Sequence, residues 1–203
     1  MKFKIQAFFC SFIVSLSLLF LQPLNAQSQS FEKETRWSVW GGYSAKSIRF
    51  LGKTEQSQTQ IFAFGFQKVI KTYSPNKRLW YTADIIPYIQ FDYPKRDENN
   101  RRVSRSGFGF SPVGFSFSNS HSNWFAPYFQ TTGGIIYMED NFPTDQARSL
   151  NFTFDITIAN SFKINQFAII AIGYKFHHIS NAQTGLENPG LDSNFLFINF
   201  SIQ

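Results

Sequence analysis

From residue 151 to residue 159 hydrophobic and polar side chains alternate without a break: Phe152, Phe154, Ile156 and Ile158 share one parity, and Asn151, Thr153, Asp155 and Thr157 share the other. Successive side chains of an extended chain point to opposite faces, so this period of two predicts a strand with one greasy and one polar side. Seven further stretches dense in Phe, Tyr, Ile and Thr are bounded by turn-forming or charged clusters. Together they predict eight strands over about 35–45, 57–70, 78–91, 107–117, 123–137, 149–162, 166–180 and 193–202. Beyond the N-terminal segment, no sustained helical period interrupts them.

The connections between these stretches alternate in length. Those at 46–56, 92–106, 138–148 and 181–192 are long, whereas those at 71–77, 118–122 and 163–165 are shorter. An even number of strands with short turns at one end and long loops at the other is the pattern of outer-membrane barrels. The expected fold class is therefore all-β, an eight-stranded antiparallel transmembrane β-barrel with both termini on the periplasmic side. Eight strands leave an interior that side chains can fill, which argues against a transport pore. A soluble lipocalin-like barrel is the weaker alternative.

Composition sharpens this picture. Aromatic residues make up 19% of the chain, 26 of them Phe, yet the mean hydropathy is only -0.21. A chain rich in aromatic residues but not hydrophobic on average fits strands that each carry an apolar and a polar face. At the N-terminus, Lys2 and Lys4 precede an apolar run from about Phe8 to Leu21, followed by Pro23 and the small residue Ala26. These features predict a signal peptide over 1–26, leaving a single barrel domain over 27–203. The only cysteine, Cys10, lies inside that segment, so no disulfide is expected in the exported protein. The formal charge of +6 favours anionic partners, and export argues against nucleic acid as one of them.

The chemistry concentrates at the end of the seventh stretch. There Ile170, Ile172, Tyr174 and Phe176 share one parity, and Ala171, Gly173 and Lys175 the other. A lysine at the bilayer midplane costs about 2–4 kcal/mol on the lipid face of a barrel, so Lys175 and its parity are assigned to the lumen. His178 and Ser180 then point side by side toward lipid, where polar groups are costly and are kept for a reason. A neighbouring imidazole can accept the proton of a serine hydroxyl, which is otherwise a weak nucleophile. Asp192 starts the next stretch, and a hairpin would return its carboxylate beside His178 to hold the ring's tautomer. His-x-Ser spacing alone is common by chance. His177, Asp84 and Asp155 read as interior polar groups, and Pro189-Gly190 as residues that shape a turn.

The stretch Phe176-His-His-Ile-Ser-Asn181 followed by Asn188-Pro-Gly-Leu-Asp192 resembles the signature of the lipid A 3-O-deacylase (PagL) family. The motif match covers about 20 residues, and the rest of the chain agrees with that family in architecture rather than in motif. The resemblance implies an exported eight-stranded outer-membrane barrel, with its active site at the outer end of the C-terminal strands. It implies a hydrolase acting on lipid A of lipopolysaccharide, without metal or cofactor. By the same resemblance His178 is the general base, Ser180 the nucleophile, and Asn181 and Asn188 are candidates for binding the oxyanion. The family's acid is typically glutamate, and here Asp192 stands in its place. Glu187 is a second carboxylate in the same loop. A non-enzymatic barrel that anchors or adheres, and a phospholipase using the same pair, are the competing readings. The basic stretch 94–105 is expected to form an external loop facing lipopolysaccharide phosphates, or a solvated loop with no specific partner.

Overall fold

The computed structural model describes residues 34–95 and 101–203. The expected signal peptide therefore lies outside the described residues. Eight antiparallel strands, β1 (Thr35–Ser44), β2 (Gln58–Ser74), β3 (Lys77–Pro94), β4 (Arg102–Asn119), β5 (Ala126–Phe142), β6 (Arg148–Lys163), β7 (Ala168–Ser180) and β8 (Leu191–Ile202), follow one another around a single sheet. The sheet closes through pairing of β1 with β8, from Trp37 opposite Ile202 to Tyr43 opposite Leu196. Closure leaves no strand edge unpaired, a requirement for a sheet whose outer face meets hydrocarbon.

The distribution of side chains is that of a membrane barrel. Ile172, Ile158, Leu196, Ile198 and Phe110 are exposed on the outer wall, while Thr82, Asp84, Gln130, Thr132, Asp155, Thr157 and Lys175 are buried inside. Each strand achieves this by the alternation seen in the sequence: in β6, Asn151, Thr153, Asp155 and Thr157 are buried, and Phe152 and Ile158 are exposed. The lumen is polar only in part, however. Toward the loop end, Ile89, Phe91, Tyr93, Ile136, Met138, Phe142, Ile179, Leu191 and Phe195 form one buried apolar cluster. Lumen parity there carries grease instead of polar groups, and the barrel is plugged by a packed core beneath its loops.

The connections around β2 to β5 are mostly shorter than the sequence suggests, because these strands run on past the predicted boundaries, whereas the connection after β1 is slightly longer. The connections at the loop end are 45–57, 95–101, 143–147 and 181–190, and those at the opposite end are 75–76, 120–125 and 164–167. The 143–147 connection is no longer than a turn, so the expected alternation holds only in part. Charged cross-strand pairs carry the ladder outward: Arg102 meets Asp92 at 2.6 Å and Arg105 meets Asp140 at 2.9 Å. Residues 102–105 of the basic stretch read as a loop are thus strand, and Arg102 and Arg105 are already paired.

Strand length also locates the site. β1, β7 and β8 have 10, 13 and 12 residues, whereas β2 to β6 have 16 to 18. A transmembrane strand needs about 9–11 residues, so β2 to β6 project beyond the bilayer while the other three scarcely do. The wall is lowest around β7, β8 and β1. The 45–57 connection folds over this low side instead of continuing the barrel upward: Ile48 pairs with Asp192, and Thr54 with Leu191.

Candidate active site

His178 and Asp192 are direct partners across the β7–β8 ladder. Their side chains lie on the outer face, and the imidazole Nδ1 is 2.6 Å from Asp192 Oδ1. The other carboxylate oxygen, Oδ2, accepts backbone N–H bonds from Phe50 at 3.0 Å, Leu51 at 2.6 Å and Gly52 at 2.8 Å. Asp192 is fully buried although it belongs to the outward parity. The folded-over 45–57 connection explains both facts, since it shields the carboxylate and supplies hydrogen bonds in place of water. Burying a carboxylate without such partners would be prohibitive.

Two glycines make the arrangement sterically possible. A Cβ at Gly52 would lie 2.7 Å from the Leu191 amide nitrogen and 2.8 Å from the Gly190 carbonyl carbon. Only glycine allows the connection to approach the hairpin this closely. Gly190 has φ of +60°, and a Cβ there would stand 3.1 Å from Cε1 of His178. It therefore turns the chain, as the sequence predicts, and also gives the imidazole a flat surface to rest on. On the lipid side, Phe50 makes an edge-to-face contact with Phe176 at 5.8 Å between ring centres. That contact buries Phe176 and pins the connection from above.

Ser180 follows two residues after His178 on the same face and ends β7 opposite Phe152. Among the described residues its hydroxyl forms no hydrogen bond with His178. Residues i and i+2 of a strand are about 6.6 Å apart along the chain. With Nδ1 committed to Asp192, the ring's remaining nitrogen, Nε2, is the one available to a hydroxyl. The His178 side chain is 17% exposed, so the ring remains accessible from outside.

The two asparagines play different parts. The Asn181 side chain is consumed within the β7–β8 connection: Nδ2 donates to the Glu187 carbonyl at 2.7 Å, and Oδ1 accepts from the Gln183 amide at 3.0 Å. Its backbone N–H donates to Asn188 Oδ1 at 3.0 Å. This fixes the Asn188 carboxamide by its oxygen, and among the described residues its NH₂ group makes no hydrogen bond. Glu187 does not approach His178 through any hydrogen bond or ion pair among the described residues.

His177 takes the interior parity and belongs to a separate lumen network. Its Nδ1 lies 2.5 Å from Asp155 Oδ1, and Asp155 Oδ2 accepts from Thr132 at 2.7 Å. Lys175 lies 3.9 Å from the same carboxylate and 4.3 Å above the Trp40 ring, whose Nε1 donates to Asp84 at 3.0 Å. The adjacent histidines thus each hold an aspartate, on opposite sides of the sheet. The backbone donors of 50–52 were not foreseen from the sequence. They are main-chain groups some 140 positions from Asp192, and the glycine among them is the only cue a reader of the sequence would have.

A closed barrel with a greasy outer wall, a packed plug and a polar cluster set into that wall defines a small membrane β-barrel with a lipid-facing site. Residues 63–201 match the family described as lipid A 3-O-deacylase (PagL), and the chain belongs to that family. Among solved structures it is similar to the outer membrane enzyme PagL, with 18% identity, a TM-score of 0.62, and coverage of 80% of this chain and 97% of that one. It is also similar to Neisserial surface protein A (NspA), at 10% identity and a TM-score of 0.51, with 83% and 96% covered. At these identities the likeness to either structure speaks for the fold alone. No curated protein matches the chain by sequence.

Proposed function

We propose that this protein is an outer-membrane esterase that removes the 3-O-linked acyl chain from lipid A, with Ser180 as nucleophile, His178 as general base and Asp192 as the acid that orients the base. The single observation that carries this reading is the His178–Asp192 bond on the outer wall. It ties up Nδ1 and leaves Nε2 for the Ser180 hydroxyl, on a face that an acyl chain can reach without leaving the bilayer.

Ser180 Oγ attacks the ester carbonyl as its proton passes to His178 Nε2. The negative charge that develops on the carbonyl oxygen is met by the Asn188 NH₂, which Asn181 holds in place through its backbone N–H. His178 then returns the proton to the departing sugar hydroxyl, leaving the fatty acyl group on Ser180. Water, deprotonated by His178, releases the fatty acid and restores the serine. Asp192 stays ionised throughout and stabilises the imidazolium. Residues 1–26 act as the signal peptide, and the loop end of the barrel faces the outer leaflet, where lipid A resides.

The test is incubation of the purified protein with lipopolysaccharide, followed by mass spectrometry of the lipid A. Loss of one 3-hydroxyacyl group is expected, and Ser180→Ala should reduce the rate by roughly 10⁴-fold or more. Glycerophospholipids assayed in parallel separate a phospholipase from a lipid A deacylase. An intact lipid A, or equal loss with Ser180→Ala, would refute the proposal.

A further inference from the structure

The folded-over 45–57 connection does more than shield Asp192. Immediately after Gly52 it presents Lys53, whose backbone N–H is bound to the Pro189 carbonyl at 2.6 Å. Here the chain borders a cleft of about 300 Å³ lined by Lys53, Thr144, Glu187, Asn188 and Pro189. Three separate connections, those after β1, β5 and β7, supply its walls. That volume is at the lower end of ligand sites, room for one sugar ring with a substituent rather than for a long lipid.

The walls are held in place and their charged side chains are unpaired. The Glu187 backbone N–H donates to the Gln146 carbonyl at 3.1 Å, which ties the β7–β8 connection to the β5–β6 one. The Thr144 hydroxyl oxygen is buried and has no hydrogen-bond partner among the described residues. Nor, among the described residues, does the Lys53 ammonium or the Glu187 carboxylate take part in an ion pair.

The chemistry of the set is specific. An ammonium suits a phosphate, whereas a carboxylate suits sugar hydroxyl and amide N–H groups. Asn188 is shared: it lines this cleft and is also the oxyanion donor proposed above. A headgroup in the cleft therefore lies next to the ester undergoing attack, with its acyl chain running down the outer wall.

We propose that this cleft is the subsite for the phosphorylated amino-sugar headgroup of the substrate, with Lys53 as the phosphate contact. The proposal rests on the deacylase reading for the identity of the ligand, though not for its test. Lys53 would set affinity for phosphorylated substrate without touching the reacting atoms.

The full-length protein in detergent micelles would be given three esters: bis-phosphorylated lipid A, the same lipid A after removal of its phosphates, and a p-nitrophenyl fatty ester without a headgroup. Lys53→Gln should raise KM for the phosphorylated substrate by about 10-fold, the scale of one charge-assisted contact. It should leave kcat within twofold and the other two esters unchanged, and Lys53→Arg should restore most of the loss. A second arm measures binding of vesicles doped with each lipid A to the Ser180→Ala variant, with and without Lys53→Gln. Equal behaviour of Lys53→Gln and its parent toward phosphorylated lipid A in both arms, or an equal loss toward all esters, overturns the subsite. Phosphate-dependent binding that Lys53→Gln weakens, with no turnover by the parent protein, upholds the subsite and removes the deacylase reading instead.

Discussion

Asp192 accepts three backbone N–H bonds on one oxygen and meets His178 Nδ1 with the other, at 2.6 Å, from the position directly opposite it on the neighbouring strand. Each oxygen has its own task. The three amides hold the carboxylate in place while its other oxygen meets the imidazole.

Asp192→Asn should keep the barrel folded and remove most of the activity. The amide oxygen can still face the donors of residues 50–52, but its NH₂ then points at Nδ1 and selects the tautomer whose Nε2 is already protonated. The loss expected from a wrong tautomer is roughly 10⁴-fold in kcat. Asp192→Glu must fit an extra methylene into a fully buried position and push against the covering connection. Its expected cost is about 1–3 kcal/mol of stability from overpacking, with a smaller loss of kcat. Lipid A turnover and the urea midpoint of the refolded protein, measured side by side, check both variants.

Gly52→Ala tests the connection without touching either catalytic candidate. The added Cβ collides with backbone atoms of Gly190 and Leu191, which cannot rotate away as a side chain could. The connection must lift, and Asp192 loses donors while remaining next to His178. The outcome expected is a fall in kcat of one to two orders of magnitude, from about 1–3 kcal/mol of lost hydrogen bonding to a charged group. The strands themselves are unaffected, so the electrophoretic shift between folded and heat-unfolded barrel should persist. A variant with unchanged kcat would show that the cradle is dispensable.

The barrel was legible because its signal is local. Period-two alternation in β6, the lysine that gave β7 its parity and the count of strands each depend on neighbouring residues, and Lys175, Asp84, Asp155 and His177 all lie inside as that parity requires. The hairpin that brings Asp192 to His178 is nearly as local, the two lying 14 positions apart. What could not be read is long-range and main-chain: the covering of Asp192 by residues 50–52 and the contact of Phe50 with Phe176. The apolar plug was missed for a different reason. Parity tells which side a residue faces but not how deep along the lumen it lies, and Ile89, Phe91 and Met138 share the interior with Asp84 and Lys175 while sitting nearer the loops. Strand ends were misjudged because above the bilayer charged pairs such as Asp92–Arg102 extend a ladder as well as apolar ones do.

The two adjacent histidines offer an internal control. His177→Ala removes the partner of Asp155 inside the barrel, where both are buried. Breaking a buried pair leaves an uncompensated charge and costs about 3–5 kcal/mol, softened here by Lys175 and Thr132 near the same carboxylate. The expected result is a lower urea midpoint with kcat within a few-fold of the parent. His178→Ala should do the reverse, leaving the midpoint close to that of the parent and abolishing turnover. If both variants lost activity equally, the division between a lumen network and a lipid-facing site would be wrong.

Asn188 and Asn181 should separate by the kind of damage they cause. The Asn188 carboxamide is anchored only through its oxygen, so replacing it with alanine removes an NH₂ donor and leaves the fold of the connection largely intact. Losing one oxyanion donor costs about 10²–10³ in kcat with little change in KM. Asn181→Ala instead removes two side-chain hydrogen bonds, to the Glu187 carbonyl and from the Gln183 amide, within the connection that carries Asn188. Its expected signature is a rise in KM together with a fall in kcat, and faster proteolysis between residues 181 and 190, because the whole connection loosens. Steady-state kinetics on lipid A and limited proteolysis of the folded protein measure the two effects. An Asn188→Ala variant with the parent's kcat would remove Asn188 from the reaction, and an Asn181→Ala variant with unchanged proteolysis would show that the connection is held by other bonds.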